Sequence, residues 1–567
     1  MSALGRSLAL GSALVGFLGL APPAWACEPI PQVHVFLIEG ASYDELMSID
    51  AAGQLAGHGG SALLANSEEL ADQARALAPD PSVASGASGT EVEVVELGKA
   101  PQEPSARAGF LDSVGDRLAS EGALDGEGAV VVATVGEPGD GGVLNGLVIA
   151  WPWEAGAPAW PGVVTSSSTR RAGLVTGSDL LPSVKALTCA GPDRSGVIDG
   201  PLASSEYEHS PGEVLARHLD VRRIAFPVQA VAGAAVLLMW ATGLATFFLR
   251  ERLPGWTLAV GRWCCLAVPV LGVSLLMSGH LPNLSYASAG GVVATATLLV
   301  PILLIQAGRG DTLRPPVSLA IVLLVVMAFE AFSGWGATPY TLLGGTALDG
   351  ARFYGLPNAF IGVILGSSLY LASVMPRWVG VGVVMAGCLL AGLPSLGANL
   401  GGAVTLAAGA GIWAAFSTAG WRRWASGAAV AAAGVALVLA AHSFSDAPTH
   451  VTNALVEGGG PGGPLATVAD RLGIGLDLLR RSPAGLLYLA ATPLLLWLVA
   501  RPRAGMKDVF GRYPRWREAM VAILGACVVA YFANDTGVAA VGLGFAMAMG
   551  GTLYVPLAMQ REKMEAT

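Results

Sequence analysis

From Ile224 almost to the last residue, apolar blocks of roughly 20 residues follow one another, each long enough to cross a bilayer core as a helix. They read as spans 224–249, 256–277, 289–308, 316–335, 356–375, 378–395, 400–418, 425–443, 484–500, 519–533 and 537–558, an all-α polytopic bundle of about eleven helices. Charge tests that reading. With the preceding residues outside, the inner loops and tail hold roughly fifteen Lys and Arg, from Arg250 and Arg252 to Arg561 and Lys563. The outer loops hold only Arg352, Arg471, Arg480 and Arg481. One missed span would reverse every later loop, so this positive-inside asymmetry supports the whole topology, with the C-terminus inside. The chain is therefore expected in the cytoplasmic membrane as a multi-pass protein.

The first part is different: residues up to about 222 are mixed and acidic. Arg6, the apolar run "LALGSALVGFLGLA" and the small-x-small "AWA" at Ala24–Ala26 read as a secretory signal peptide over 1–26. An uncleaved anchor helix, or a lipoprotein signal with Cys27 as the lipidated residue, are the alternatives. Residues 27–222 then form an extracytoplasmic domain and 223–567 the transmembrane domain. Cys27 and Cys189 are the cysteines of the exported part, and a disulfide or two separate thiols are both open. Cys264, Cys265, Cys388 and Cys527 fall in spans and read as small apolar fillers. The net charge of −9 and the lack of a basic stripe argue against a nucleic-acid partner.

Three polar, glycine-containing motifs interrupt the bundle: "DGARFYGLPNAFIG" (Asp349–Gly362), "GANLGG" (Gly397–Gly402) and "ANDTG" (Ala533–Gly537). On this topology all three lie at the outer ends of helices, as does Glu330. Ionisable and amide groups at membrane depth are costly unless they face a cavity or a partner, and broken helices often frame binding sites. One outward-facing pocket is expected, drawing on Glu330, Arg352, Tyr354, Asn358, Asn399, Asn534 and Asp535. Arg352 would hold an anionic group, the asparagines would bond hydroxyls or phosphate oxygens, and Glu330 and Asp535 would act as bases or bind a cation. The competing reading is plain capping and turn formation, which Asn and Asp favour anyway.

The exported part alternates strand and helix patterns, an α/β arrangement. Strands are predicted at His34–Ile38, Glu91–Glu96, Ala129–Val135 and Leu147–Ile149, with "GLV" at 173–175 before Asp179. Helices are predicted from Tyr43, over Ser61–Leu77, Gly109–Glu121 and Leu181–Leu187. "FLIEG" near its start and "GLVTGSDLLPSVKAL" near its end resemble the first and last landmarks of the alkaline phosphatase superfamily. That resemblance implies a first strand ending in a metal-binding Asp, which Glu39 replaces here, with Asp44 close by; the two are vestigial ligand candidates. It also implies a Ser or Thr nucleophile, for which Ser61 is the nearest candidate. The late Asp-His-Gly cluster is missing from the sequence, so the domain reads as a degenerate relative without a complete two-metal site, and no cofactor is assigned.

The bundle motifs resemble those of a family of bacterial multi-pass membrane proteins that carry such an outer domain, where they run "GARYYGxGNEYMG", "GADFGG" and "NDSGV". This chain departs at Pro357, at Ala359, which replaces an acidic residue, and at Asn399, which replaces Asp. The resemblance implies envelope work: binding or processing a lipid-linked or phosphate-bearing substrate at the outer membrane face, with membrane lipid as a partner. Enzymes that add ethanolamine phosphate to glycolipid anchors share the architecture, by analogy only. A transporter or flippase of an envelope precursor and a non-catalytic sensor or assembly scaffold are the alternatives; whether the chain is an enzyme stays open.

Overall fold

The computed structural model describes residues 32–57, 59–65, 91–120, 129–135, 145–150, 162–166, 174–176, 198–203, 211–343, 355–443, 504–534 and 537–566, with scattered positions between 491 and 502. The signal segment, Cys27, Cys189, the Leu181–Leu187 helix and most of span 484–500 lie outside these residues.

The N-terminal part is a mixed eight-stranded sheet with the order β3-β1-β4-β5-β2-β6-β8, β7 pairing with β2. Its strands are β1 (Gln32–Glu39), β2 (Gly59–Ala65), β3 (Glu91–Lys99), β4 (Ala129–Val135), β5 (Asn145–Ala150), β6 (Gly162–Ser166), β7 (Leu174–Thr176) and β8 (Ile198–Ala203). β1 runs parallel to both β3 and β4, and β5 runs antiparallel to β4 and β2. Strands buried on both faces become continuous apolar runs: "AVVVATV" in β4 has every residue buried. Helices α1 (Tyr43–Ser48), α2 (Asp50–Gly57) and α3 (Pro104–Ser120) follow β1 and β3. Leu46, Leu55, Val114 and Leu118 pack on Phe36, Ile38 and Val132 of the sheet.

The start of one predicted helix is strand instead, the rest of it lying outside the described residues. Ser61 to Ala65, expected to open a helix over Ser61–Leu77, belongs to β2, which bonds β5 on one side and β6 and β7 on the other. A short apolar run is compatible with either state on periodicity alone; here the unsatisfied edge of the sheet decides it. The other strand expectations hold to within a few residues, and the helix expected at Gly109–Glu121 begins earlier, at Pro104.

The second part is a bundle of α4 (Pro211–Leu249), α5 (Gly255–Met277), α6 (Tyr286–Ala307), α7 (Arg314–Phe332), α8 (Ile361–Ser373), α9 (Arg377–Gly392), α10 (Leu400–Ala415), α11 (Trp421–Ser443), α12 (Ala504–Arg512), α13 (Pro514–Ala533) and α14 (Gly537–Ala566). Among the described residues, seven helices are long and apolar enough to cross a membrane. The spans expected at 356–375, 378–395 and 400–418 are shorter helices, because Asn358–Phe360 forms a 3-10 turn and 393–399 leaves the helical path. Of these three, α8 and α10 are almost wholly buried in the bundle, α8 being packed by α7, α9, α13 and α14, while α9 exposes Trp378 and Val379 at its start. Short helices are tolerated where protein, not lipid, surrounds them.

Position 223, where the transmembrane domain was expected to begin, lies within α4. At 39 residues this helix spans about 58 Å, longer than any bilayer, so it leaves the sheet domain as helix and enters the bundle without a break.

Close helix approach uses glycine. A Cβ on Gly362 of α8 would overlap Gly544 N of α14, and one on Gly411 of α10 would come within 2.5 Å of Gly427 O of α11. Small-residue contacts of this kind drive association where no hydrophobic effect operates between helices. Trp256, Trp378, Trp421 and Trp424, near the starts of α5, α9 and α11, are all strongly exposed. They gather at the arginine-rich end of the bundle, as interfacial tryptophans do.

Candidate functional site

The three polar motifs meet at the end of the bundle from which α4 leaves the sheet domain. Gly355 adopts a left-handed φ of 78°. A Cβ there would overlap Gly397 O, and Leu356 N donates to that same oxygen at 2.8 Å. Asn399 caps α10, its Oδ1 accepting from Gly402 N at 2.8 Å. Its Nδ2 donates to Leu356 O at 2.9 Å and to Asn358 Oδ1 at 2.8 Å. Both amide hydrogens and the oxygen are thus engaged. Asn534, at the end of α13, donates from Nδ2 to Ala530 O at 2.8 Å and to Thr405 Oγ1 at 3.4 Å. Gly401 is what lets α10 pass that residue: a Cβ on it would overlap Asn534 Oδ1.

Asn399 is 0% and Asn534 3% exposed. The Asn399 amide joins the second motif to the first and is spent on that work, Asn534 ties the end of α13 to Thr405 of α10, and Asn358 is half-buried beside Asn399. Arg352, Tyr354 and Asp535 lie outside the described residues.

Glu330, near the end of α7, is 0% exposed. One carboxylate oxygen meets His280 Nε2 and the other accepts from Ala337 N at 3.3 Å. The His280 side chain is 37% exposed. A buried carboxylate therefore reaches the surface through one imidazole, an arrangement able to hold a proton or a cationic group at the bundle's end. Glu330 O also accepts from Trp335 N at 2.7 Å. Trp335 stands at φ 59°, which non-glycine residues rarely adopt, and its Nε1 donates to Leu396 O at 2.6 Å. Glu330 is thereby tied to the loop that ends in Asn399. His280 and Trp335 escaped the sequence reading. The available signal was "SGH" closing an apolar block, a titratable residue at the same end as Glu330.

At the sheet edge, Glu39 closes β1 opposite Lys99 of β3, and Lys99 Nζ donates to its Oε1 at 2.6 Å with both side chains exposed. Asp44 is exposed in the first turn of α1. Ser61 is buried on β2, its hydroxyl 3.4 Å from Tyr43 Oη. The turn between β1 and α1 is held by Arg107. This residue pairs with Glu45 and donates to Pro101 O at 2.8 Å and Gly40 O at 2.5 Å. Its guanidinium holds the Glu45 carboxyl below the usual glutamate range. Glu45 also closes a capping box with Ser42. Among the described residues, no three His, Cys, Asp or Glu side chains gather as metal ligands would. The four cysteines of the bundle are buried free thiols.

No family model, curated protein or solved structure matches this chain.

Proposed function

We propose that this chain is a polytopic membrane protein of the cell envelope that binds a lipid-linked or phosphate-bearing envelope substrate. The binding site is the bundle end facing the sheet domain, and the sheet domain is a phosphatase-like fold that recognises substrate without a two-metal centre. The single observation that supports this is Glu330: a carboxylate with no exposure, reached from solvent through His280, at the same end as the three polar motifs. Buried ionisable groups at membrane depth mark substrate paths and sites. Arg352 and Tyr354 precede Gly355 in the first motif and Asp535 follows Asn534 in the third, which puts them next in sequence to residues of the junction. In this reading Arg352 takes the anionic group, and the His280–Glu330 pair places a proton or a cationic headgroup. The positive-inside pattern supports an orientation with this end outside the cytoplasm.

The test is lipid and glycan profiling of a deletion strain, complemented with wild type, Glu330→Gln or Arg352→Ala. Accumulation of one lipid-linked precursor, reversed only by wild type, is the expected result. An unchanged profile, or full rescue by both variants at normal membrane levels, would overturn the proposal.

A further inference from the structure

The opposite end of the bundle holds a second arrangement that the proposed substrate site does not use. Helices α4 and α6 both pack along α5 and scarcely touch one another. α5 is buried, whereas α4 and α6 are largely exposed. They wall an apolar groove of about 690 Å3 with α5 as its floor. Beside it lies a polar cavity of about 680 Å3, lined among others by Arg262, Arg309, Asp311, Arg561 and Glu562. The two spaces share Val260, Trp263 and Leu298, so one runs into the other. Trp263 stands at that joint and donates from Nε1 to Leu298 O at 3.1 Å, the placement of an interfacial tryptophan.

The polar cavity has an excess of cationic donors. Asp311 is occupied by the start of α7, its Oδ1 accepting from Leu313 N at 2.9 Å and Arg314 N at 3.3 Å. Glu562 Oε1 accepts from Thr312 Oγ1 at 2.6 Å. Arg309 is exposed and pairs with no carboxylate among the described residues. Arg262 gives Nη2 to Tyr554 Oη at 3.0 Å, and its Nε is buried without an acceptor. Thr297 adds a second orphan. It is 9% exposed, sits on the groove wall next to Leu298, and its hydroxyl has no hydrogen-bond partner.

We infer that this composite space binds one anionic phospholipid. Its phosphate lies against Arg262, Arg309 and Arg561, because a guanidinium matches phosphate oxygens bidentately. A glycerol ester carbonyl accepts from the Thr297 hydroxyl at the joint, and one acyl chain lies in the groove. Length agrees: from Trp263 to Leu275 the floor runs about 18 Å, against roughly 15 Å for one leaflet's share of the hydrocarbon core. On the proposed topology the leaflet is the cytoplasmic one, whose anionic lipids attract basic sites.

The experiment uses the full chain, reconstituted in phosphatidylcholine vesicles containing a minor share of phosphatidylglycerol. Retained lipid is counted by native mass spectrometry after release. The wild type is expected to keep one phosphatidylglycerol in preference to phosphatidylcholine. Arg309→Gln with Arg561→Gln lowers that retention about tenfold or more, the loss of charge-assisted contacts. Gly290→Phe fills the groove, where a Cβ on Gly290 meets nothing within 4 Å, and abolishes retention of a bound lipid with the arginines intact. Ala294→Phe, on an exposed groove position, serves where Gly290→Phe fails to insert. Equal retention of both lipids, or retention untouched by either class of variant, would overturn the inference. Glycerol phosphate binding as tightly as the lipid and indifferent to the groove variants would overturn the lipid assignment.

Discussion

The Asn399 side chain donates to Asn358 Oδ1 at 2.8 Å while its own oxygen caps α10 at Gly402 N. One buried amide thus fixes both where the first motif ends and where the tenth helix begins. Asn399→Leu removes the cap and the hydrogen bonds that its amide gives to Leu356 O and Asn358 Oδ1. Each lost hydrogen bond costs about 1 kcal/mol, and the cap about 1 kcal/mol more. Asn399→Asp keeps the cap, and the Asn358 amide can turn over to present its NH2 to the new carboxylate. Thermal unfolding in detergent is expected to rank wild type above Asn399→Asp, and that variant above Asn399→Leu. Equal melting of the two variants would refute this account of the junction.

Gly401 sits where α10 passes the third motif. Gly401→Ala forces its Cβ into Asn534 Oδ1 and within 2.6 Å of Ala533 O. Backbone cannot move aside cheaply, so a loss of about 1–3 kcal/mol is expected. Gly291→Ala in α6 meets nothing within 4 Å and is expected to gain up to about 1 kcal/mol from helix propensity. The same alanine thus has opposite signs at two glycines, read as shifts in Tm of the two proteins.

Much of this was legible in the sequence, and the reasons it failed elsewhere are physical. Spans such as Trp421–Ser443 have no other way to satisfy their backbone, so length and hydropathy find them. Asn399 bonds Asn358, and Gly401 of the second motif lies against Asn534. What composition could not separate is an amide facing a ligand from one consumed by its own junction, since Asn at a helix start fits both. The strand at Ser61 was missed because a neighbouring edge far along the chain, at Val148 of β5, chose its state. His280 and Glu330 are fifty residues apart, and Lys99 reaches Glu39 across sixty. Pairings that the fold brings together leave no local signature.

The Arg107–Glu45 pair makes the turn after β1 sensitive to acid. Glu45 has a depressed pKa in the fold, mainly through its hydrogen bond from Arg107. Its contribution is therefore complete above the unfolded glutamate value of about 4.3 and is lost as pH falls through the lower folded value. Hydrogen exchange at Glu45 N and Leu46 N, whose acceptors are Ser42 Oγ and Ser42 O, is expected to show protection falling as pH drops below about 4. Arg107→Met is expected to show little such dependence. It should also weaken protection at neutral pH, because Gly40 O and Pro101 O lose their donor. An identical pH profile for wild type and variant would show that the pair does not hold the turn.

Trp335 links the Glu330 main chain to the loop before the second motif: its N–H donates to Glu330 O and its indole Nε1–H to Leu396 O. Trp335→Phe keeps an aromatic ring at the site, smaller than the indole, and leaves Leu396 O without this donor, so about 1–2 kcal/mol is expected to be lost. Trp335→Gly relieves the left-handed φ of 59°, worth about 1–2 kcal/mol. It also empties the site of a side chain that is 1% exposed, a cavity term of about 3–5 kcal/mol. The cavity term outweighs the strain, so Trp335→Gly should be the less stable of the two despite its better backbone. The readout that speaks to function is the accessibility of His280 to a histidine-modifying reagent. With the 331–337 turn loosened, Ala337 N no longer holds the second oxygen of Glu330, and modification of His280 should accelerate in Trp335→Gly more than in Trp335→Phe. If both variants leave that rate at the wild-type value, the carboxylate pair and the loop at 393–399 are energetically independent, and the bundle end is two sites side by side.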